Sequence, residues 1–245
     1  MDFLFIGTSG WTYRHWKGDF YPHDLPVSQW FSHYCSQFNA VEINATFYHR
    51  FQDATFLKWY ERTPPGFCFV LKVPRIITHR KFLSDCFDEI REFSRQAGLL
   101  KEKLGCMLMQ LPPGLKCNKK LLEKSLDAFP ESIRLAVEFR HASWYEEGVM
   151  KLLLRKGVSF VNADSPQRTI DFSLQTAFPY LRFHGRNGWY NSDYTEEELR
   201  KAAVYFAGLT LSREQPGFAF FNNDFGGFAP RNAIRLMEMT RELLV

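Results

Sequence analysis

The sequence predicts an α/β chain folded as a single (β/α)8 barrel of the TIM type, with a degraded sixth helix, over residues 1–245. Three observations predict it. A length of 245 residues suits one such barrel, which commonly takes about 250. Short apolar runs alternate with amphipathic stretches from end to end, the pattern of repeated βα units around a parallel sheet. No Gly-rich phosphate fingerprint follows the first strand, which argues against an open dinucleotide-binding sheet. No low-complexity segment, long linker or composition break divides the chain.

Eight strands are read in order: Phe3–Thr8, Ala40–Asn44, Phe67–Val73, Gly105–Leu111, Ile133–Phe139, Val158–Asn162, Tyr180–His184 and Gly217–Phe221. Helical patterns separate most of them. Ser28–Phe38 carries Trp30, Phe31, Tyr34 and Phe38 at helical spacing. Ser84–Leu100 repeats Phe87, Ile90 and Phe93 behind Ser84 or Asp85 as N-cap. Thr195–Ala207 opens on Thr195 and Glu198 at capping-box spacing. Ala229–Leu244 closes the chain, with Pro230 where a first helical turn tolerates it. Ser165–Phe178 lacks helical periodicity, so a degraded connection is expected there.

Hydrophobic residues make up 45% of the chain, enough for a substantial core, and no run approaches the roughly 20 apolar residues that span a bilayer. The start, Met1-Asp2-Phe3-Leu4-Phe5-Ile6-Gly7, lacks the basic region and cleavage site of a signal peptide and reads as a first strand. A cytoplasmic protein with no membrane partner is therefore expected. Cys35, Cys68, Cys86, Cys106 and Cys117 are odd in number, widely spaced and without a C-x-x-C pair. That disfavours a disulfide framework or cysteine zinc site and suggests mostly buried thiols. A net charge of +4 permits an anionic ligand but falls far short of a nucleic-acid-binding tail.

Strands of a parallel barrel are buried on both faces, so polar residues within them need a reason. Side chains alternate faces. Glu42 and Asn44 oppose Val41 and Ile43, Glu138 and Arg140 oppose Val137 and Phe139, and Arg182 and His184 oppose Leu181 and Phe183. Lys72 and Gln110 lie late in their strands, and Asn162 and Asp164 end the sixth. These polar sets are expected to point into the barrel near its carboxyl end, where barrel-enzyme sites lie. A compensated ionic core is the plainer alternative, but such networks stabilise poorly compared with apolar packing.

Gly185-Arg186-Asn187-Gly188 and Asn222-Asn223-Asp224 with Gly226-Gly227 follow the last two strands. Loops there often bind phosphate, so Arg182, Arg186, Asn223, Asp224 and backbone N–H groups form a candidate anion site. Tight turns are the alternative. Ser9 sits in Gly7-Thr8-Ser9-Gly10, with the wrong spacing for a nucleophile elbow, and reads as a loop or anion contact. Aromatic residues form 17% of the chain and crowd the loops, with Trp11 placed to stack on a ring. Glu42, Glu138, Asp164 and His184 are the acid–base candidates; His79 and His141 are weaker ones. A divalent metal on Glu138, Asp164, His184 and Asp224 is the alternative use, disfavoured by the arginines beside the carboxylates. No metal or cofactor is assigned.

Gly7-Thr8-Ser9-Gly10-Trp11, Val41-Glu42-Ile43-Asn44, Ile77-Thr78-His79, Gln110-Leu111-Pro112-Pro113, Val137-Glu138-Phe139-Arg140-His141, Arg182-Phe183-His184-Gly185-Arg186 and Phe221-Asn222-Asn223-Asp224 occur in this order. Together they resemble the YecE-like family, domain of unknown function 72, along nearly the whole chain. The resemblance implies a TIM barrel and no established activity, so it carries over no catalytic residue. The residues themselves favour an enzyme acting on a phosphorylated or otherwise anionic sugar- or nucleotide-like molecule. Glu42, Glu138 and Asp164 would be its acid–base groups and His184 a proton shuttle. Ser9, Trp11, Asn44, Lys72, Gln110, Arg140, Arg182, Arg186, Asn223 and Asp224 would be its binding residues. A nucleic-acid-binding or -processing protein and a non-catalytic ligand-binding module are the alternatives. The hydrolase, isomerase and lyase classes all fit, and neither oligomeric state nor pathway is indicated.

Overall fold

A computed structural model describes residues 4–212 and 215–244. Phe3, expected to head the first strand, and Met1-Asp2 before it lie outside the described residues. The strands are β1 (Leu4–Thr8), β2 (Ala40–Ile43), β3 (Cys68–Lys72), β4 (Leu104–Gln110), β5 (Leu135–Glu138), β6 (Ser159–Phe160), β7 (Asn162–Asp164), β8 (Tyr180–Phe183) and β9 (Gly217–Phe221). All pair in parallel, in the orders β2-β3-β4-β5-β6 and β1-β9-β8-β7. β6 and β7 are halves of the sixth expected strand. One pairs with β5 and the other with β8, so this strand joins the two sheets.

The other seam, between β1 and β2, is closed by side chains. The Tyr34 hydroxyl accepts from Thr8 N–H at 2.9 Å and donates to the Ala40 carbonyl at 2.9 Å. The Asn39 amide accepts from Ile6 N–H at 3.1 Å and donates to the Leu4 carbonyl at 2.7 Å. These bonds satisfy backbone groups that a strand ladder would otherwise pair. A Cβ on Gly7 would overlap the Ala40 carbonyl oxygen, so the close approach requires glycine. The result is a (β/α)8-type barrel.

The helices are α1 (Trp30–Gln37), α2 (Ala45–Tyr48), α3 (Asp53–Glu61), α4 (Phe87–Ala97), α5 (Lys119–Leu126), α6 (Glu147–Arg155), α7 (Glu196–Ser212) and α8 (Phe228–Glu242). α7 starts on the expected capping box. Thr195 N–H donates to Glu198 at 2.8 Å, and Glu198 N–H donates to the Thr195 hydroxyl at 3.3 Å. The expected Ser84 or Asp85 cap is not formed. α4 begins after Cys86 without a side-chain cap, because Asp85 sits at φ 45° rather than the extended backbone a cap needs. No helix occurs between Asp164 and Tyr180, as the missing periodicity predicts. Both amide ends of Asn162 instead hold the Asp171 backbone, at 2.7 and 3.1 Å. Cys68, Cys86 and Cys106 are buried, whereas Cys35 and Cys117 are only half-buried; all five are free thiols. No helix among the described residues is long and apolar enough to cross a membrane.

Alternation along the strands sorts the core into two layers. Val41, Leu71, Met107, Val137, Leu181 and Phe221 face the helices. Ala40, Val70, Leu108, Ala136, Tyr180 and Phe220 fill the barrel with a separate apolar plug. Continuing the inward faces towards the carboxyl ends gives Glu42, Lys72, Gln110, Glu138 and Arg182. The plug thus forms the apolar floor beneath a polar layer.

Candidate functional site at the barrel mouth

The inward polar residues form one bonded network. Arg182, 1% exposed, divides its guanidinium between two carboxylates, with Nη2 donating to Glu42 at 2.6 Å and Nη1 to Glu138. Glu42 also accepts from the Ser9 and Tyr180 hydroxyls, each at 2.6 Å. Glu138 further accepts from Gln110 Nε2 at 2.9 Å and pairs with Arg140. Gln110 Oε1 in turn accepts from Lys72 Nζ at 2.9 Å. Burial alone would raise the Glu138 carboxyl, but Arg182 and Arg140 outweigh it and hold the group well below the usual carboxylate range. Glu138 is therefore a standing partner for arginine and a poor proton carrier, and the Glu42 oxygens are occupied by Arg182, Ser9 and Tyr180.

His184 is fully buried behind Arg140. Burial, reinforced by Arg182, pushes its imidazole down to about 4, so it is neutral near pH 7 and its 3.6 Å approach to Glu138 is not an ion pair. Arg140 Nη2 lies 2.9 Å from Nε2 and only donates, so Nε2 accepts and Nδ1 carries the proton. The Asn222 amide nitrogen lies 3.2 Å from Nδ1; with Nδ1 protonated, it is the amide turned over, oxygen inward, that accepts there.

Above this network opens a pocket of about 630 Å³ lined by Tyr13, Asn44, Phe47, Tyr48, Lys72, Arg75, His79, Gln110, Arg182, Tyr190 and Asn222. Its lining holds no aspartate or glutamate. Lys72 Nζ stands 4.3 Å from the Phe47 ring centre, and no carboxylate pairs with Lys72 or Arg75 among the described residues. Burial first, then Arg182, pushes the Lys72 ammonium down to about 8. His79, anchored at Nδ1 to the Thr78 hydroxyl at 2.8 Å, is held down to about 4 by burial together with Lys72 and Arg75. Two buried polar atoms of lining residues, Asn44 Oδ1 and Arg182 Nε, have no hydrogen-bond partner.

Several expected site residues lie elsewhere. Asp164 pairs in register with the outward-facing Phe183, so it faces the helix layer and not the barrel interior. There it binds Arg186 at 2.9 Å, and Arg186 binds Glu198 of α7 at 3.1 Å. Arg186 is consequently engaged by two carboxylates instead of being free for an anion. Gly185, at φ 97°, makes a tight turn in which a Cβ would overlap the Gly188 carbonyl, so these glycines shape a turn. Asn223 is buried and ties the last two loops together through the Ser192 carbonyl at 2.8 Å and Asn232 at 2.7 Å. Asp224 locks the first loop, accepting from Trp16 Nε1 at 2.5 Å and lying 3.0 Å from His15 Nε2. Trp11 packs on Phe31 of α1 at 4.5 Å and Trp59 of α3 at 6.4 Å. No group of three His, Cys, Asp or Glu able to hold a metal occurs among the described residues; Asp164 and Asp224 stand apart from the Glu138–His184 pair.

Of the pocket wall, sequence reasoning missed Arg75 and ranked His79 low; Tyr13, Tyr48 and Tyr190 stood among the loop aromatics suited to stacking on a ring, without being singled out as binding residues. Arg75 and His79 come from Pro74–Arg80, where Ile76–Arg80 forms a π-type turn. The available signal was a basic residue and a histidine just past a strand end.

The family model described as "Protein of unknown function DUF72" matches residues 5–244. UPF0759 protein YunF of Bacillus subtilis (strain 168) is 26% identical, over 96% of this chain and 94% of its own. A DUF72 family protein from Thermotoga maritima MSB8 superposes with a TM-score of 0.85 at 33% identity, covering 97% of this chain and 99% of that one. PbGH5A, a glycoside hydrolase family 5 enzyme from Prevotella bryantii B14, reaches a TM-score of 0.50 at 13% identity, covering 100% of this chain and 96% of that one, and shares the fold alone. With the family model spanning nearly its full length and the Thermotoga structure matching it end to end, the chain belongs to the DUF72 family.

Proposed function

We propose that this protein is an enzyme acting on a small anionic molecule with a ring, phosphorylated sugar-like or nucleotide-like, bound in the barrel mouth. The observation that carries the reading is a pocket lined by Lys72, Arg75 and Arg182 with no carboxylate in its wall. The unpartnered Asn44 Oδ1 and Arg182 Nε add an acceptor and a donor for ligand groups. Tyr13, Phe47, Tyr48 and Tyr190 supply aromatic faces for a ring. Glu42 and Glu138 position the arginines, and Lys72 and His79 are the proton-handling groups within reach of a ligand. Two-carboxyl glycoside hydrolysis needs a carboxylic acid free to protonate its substrate. Glu42 and Glu138 are each saturated by partners, so that chemistry is not extended to this chain.

A second reading, single-stranded nucleic acid, is favoured by one feature. A further hollow shares Arg75 with the mouth and carries the exposed Arg50 and Arg80. A thermal-shift series with sugar phosphates, nucleotides and short oligonucleotides separates the two. A ligand at a hundred times its Kd stabilises by about 2.7 kcal/mol. Stabilisation by small phosphates that is lost in Arg75→Ala supports the enzyme reading. Stabilisation by oligonucleotides alone, falling steeply with salt, overturns it in favour of the second.

A further inference from the structure

Lys72 differs from the other cations of the mouth. Arg182 and Arg140 are paired with carboxylates, whereas the one hydrogen bond of Lys72 Nζ among the described residues goes to the neutral Gln110 amide. Gln110 is itself tied to Glu138, which fixes its oxygen towards the amine. The Lys72 side chain is buried up to its tip, which borders the pocket and stands against the Phe47 ring. Arg75 reaches the same pocket from the loop that follows β3. An amine held still against an aromatic face, flanked by cations and in direct ion pairing with no carboxylate among the described residues, is arranged to react and not merely to bind charge.

We propose that Lys72 is a nucleophile that forms an imine with an aldehyde or ketone group of a small anionic substrate, whose charged end rests on Arg75. The proposal rests on the anion-pocket reading and narrows the substrate to carbonyl compounds. The neutral amine attacks the carbonyl carbon, and the C=O π pair moves to oxygen and takes up a proton. The resulting carbinolamine then loses its hydroxyl as water while the nitrogen lone pair forms the C=N bond. Both amine hydrogens thus leave with the carbonyl oxygen as one water, and nothing is oxidised or reduced. His79, neutral and on the same wall, is placed to pass a proton between nitrogen and departing oxygen. Once protonated, the imine draws electrons from the adjacent carbon, as carbon–carbon cleavage or isomerisation requires.

The test uses the full-length protein, glycolaldehyde phosphate as probe and borohydride, which reduces an imine to a stable secondary amine. Peptide mass mapping then locates the adduct. The proposal expects labelling at Lys72 at least about tenfold faster at pH 8 than at an exposed residue such as Lys120. Labelling should rise with pH to half its maximum near 8. The charged and titratable groups facing this amine are Glu42, Arg75, His79, Glu138, Arg140 and Arg182. Inorganic phosphate should suppress the Lys72 adduct while leaving surface lysines unaffected, and glycolaldehyde without its phosphate should label Lys72 more slowly. Lys72→Arg, which keeps the charge, should still bind phosphate and give no adduct in the peptide carrying residue 72. If phosphate binds but Lys72 is labelled no faster than Lys120, the imine proposal is overturned and the anion site stands. If phosphate neither binds nor protects, the anion-pocket reading falls as well.

Discussion

Replacing Glu138 by Gln removes one negative charge from a site where two arginines converge while nearly preserving side-chain volume. Glu138 is 2% exposed and accepts from Arg182, Arg140 and Gln110. A glutamine keeps one accepting oxygen and turns an NH2 towards a group that can only donate. Arg182, 1% exposed, would retain Glu42 as its one carboxylate partner. Breaking a buried ion pair on one side costs about 3–5 kcal/mol, and Arg140, partly open to solvent, adds less. The loss is large beside a typical total stability of about 5–15 kcal/mol. Urea unfolding with a matched slope m measures it. The folded-state pKa of Glu138 is depressed, so its contribution is complete above the unfolded-state value of about 4.3 and is lost as pH falls through the lower folded value. The gap between wild type and variant should therefore be constant from pH 7 to 6 and shrink below about pH 4. A variant within about 1 kcal/mol of wild type that nonetheless lost turnover would refute the positioning role and return Glu138 to acid–base chemistry.

Other perturbations follow from the same geometry. Tyr34→Phe strips the hydroxyl that bridges Thr8 N–H and the Ala40 carbonyl. At about 1–3 kcal/mol for each buried unsatisfied group, denaturation should show a loss of at least ~2 kcal/mol; a loss below ~0.5 kcal/mol would mean the seam closes without it. Thr195→Ala should cost about 1 kcal/mol through the lost α7 cap, measurable by the same unfolding; no change would show that the cap is redundant with Glu198.

The strand pattern made much of this molecule legible. Period-two alternation placed Glu42, Lys72, Gln110, Glu138 and Arg182 on the inward faces because β2, β3, β4, β5 and β8 run regularly. Asp164 was misplaced because β6 and β7 break at Val161, and pairing with Phe183 rather than position in the chain decides which way its side chain points. The Gly185–Gly188 loop resembled an anion cradle in composition, but Asp164 and Glu198 claim its arginine. Arg75 went unweighted and His79 was ranked low because Ile76–Arg80 forms a π-type turn, which carries no hydrophobic period. Strand interiors are written in alternation, whereas loop-borne walls depend on turns and partners that no local pattern encodes.

Calorimetric titration of a sugar phosphate into wild type, Arg75→Ala and Arg186→Ala tests the central claim most directly. An anion site on the β3 side of the mouth predicts that Arg75→Ala weakens binding about tenfold or more, the ~1.4 kcal/mol of one charge-assisted contact. Arg186→Ala, though destabilised by removing the cation paired with buried Asp164, should bind as wild type does. The reverse pattern, with affinity lost in Arg186→Ala and kept in Arg75→Ala, would contradict the account and move the anion to the loops after β8 and β9.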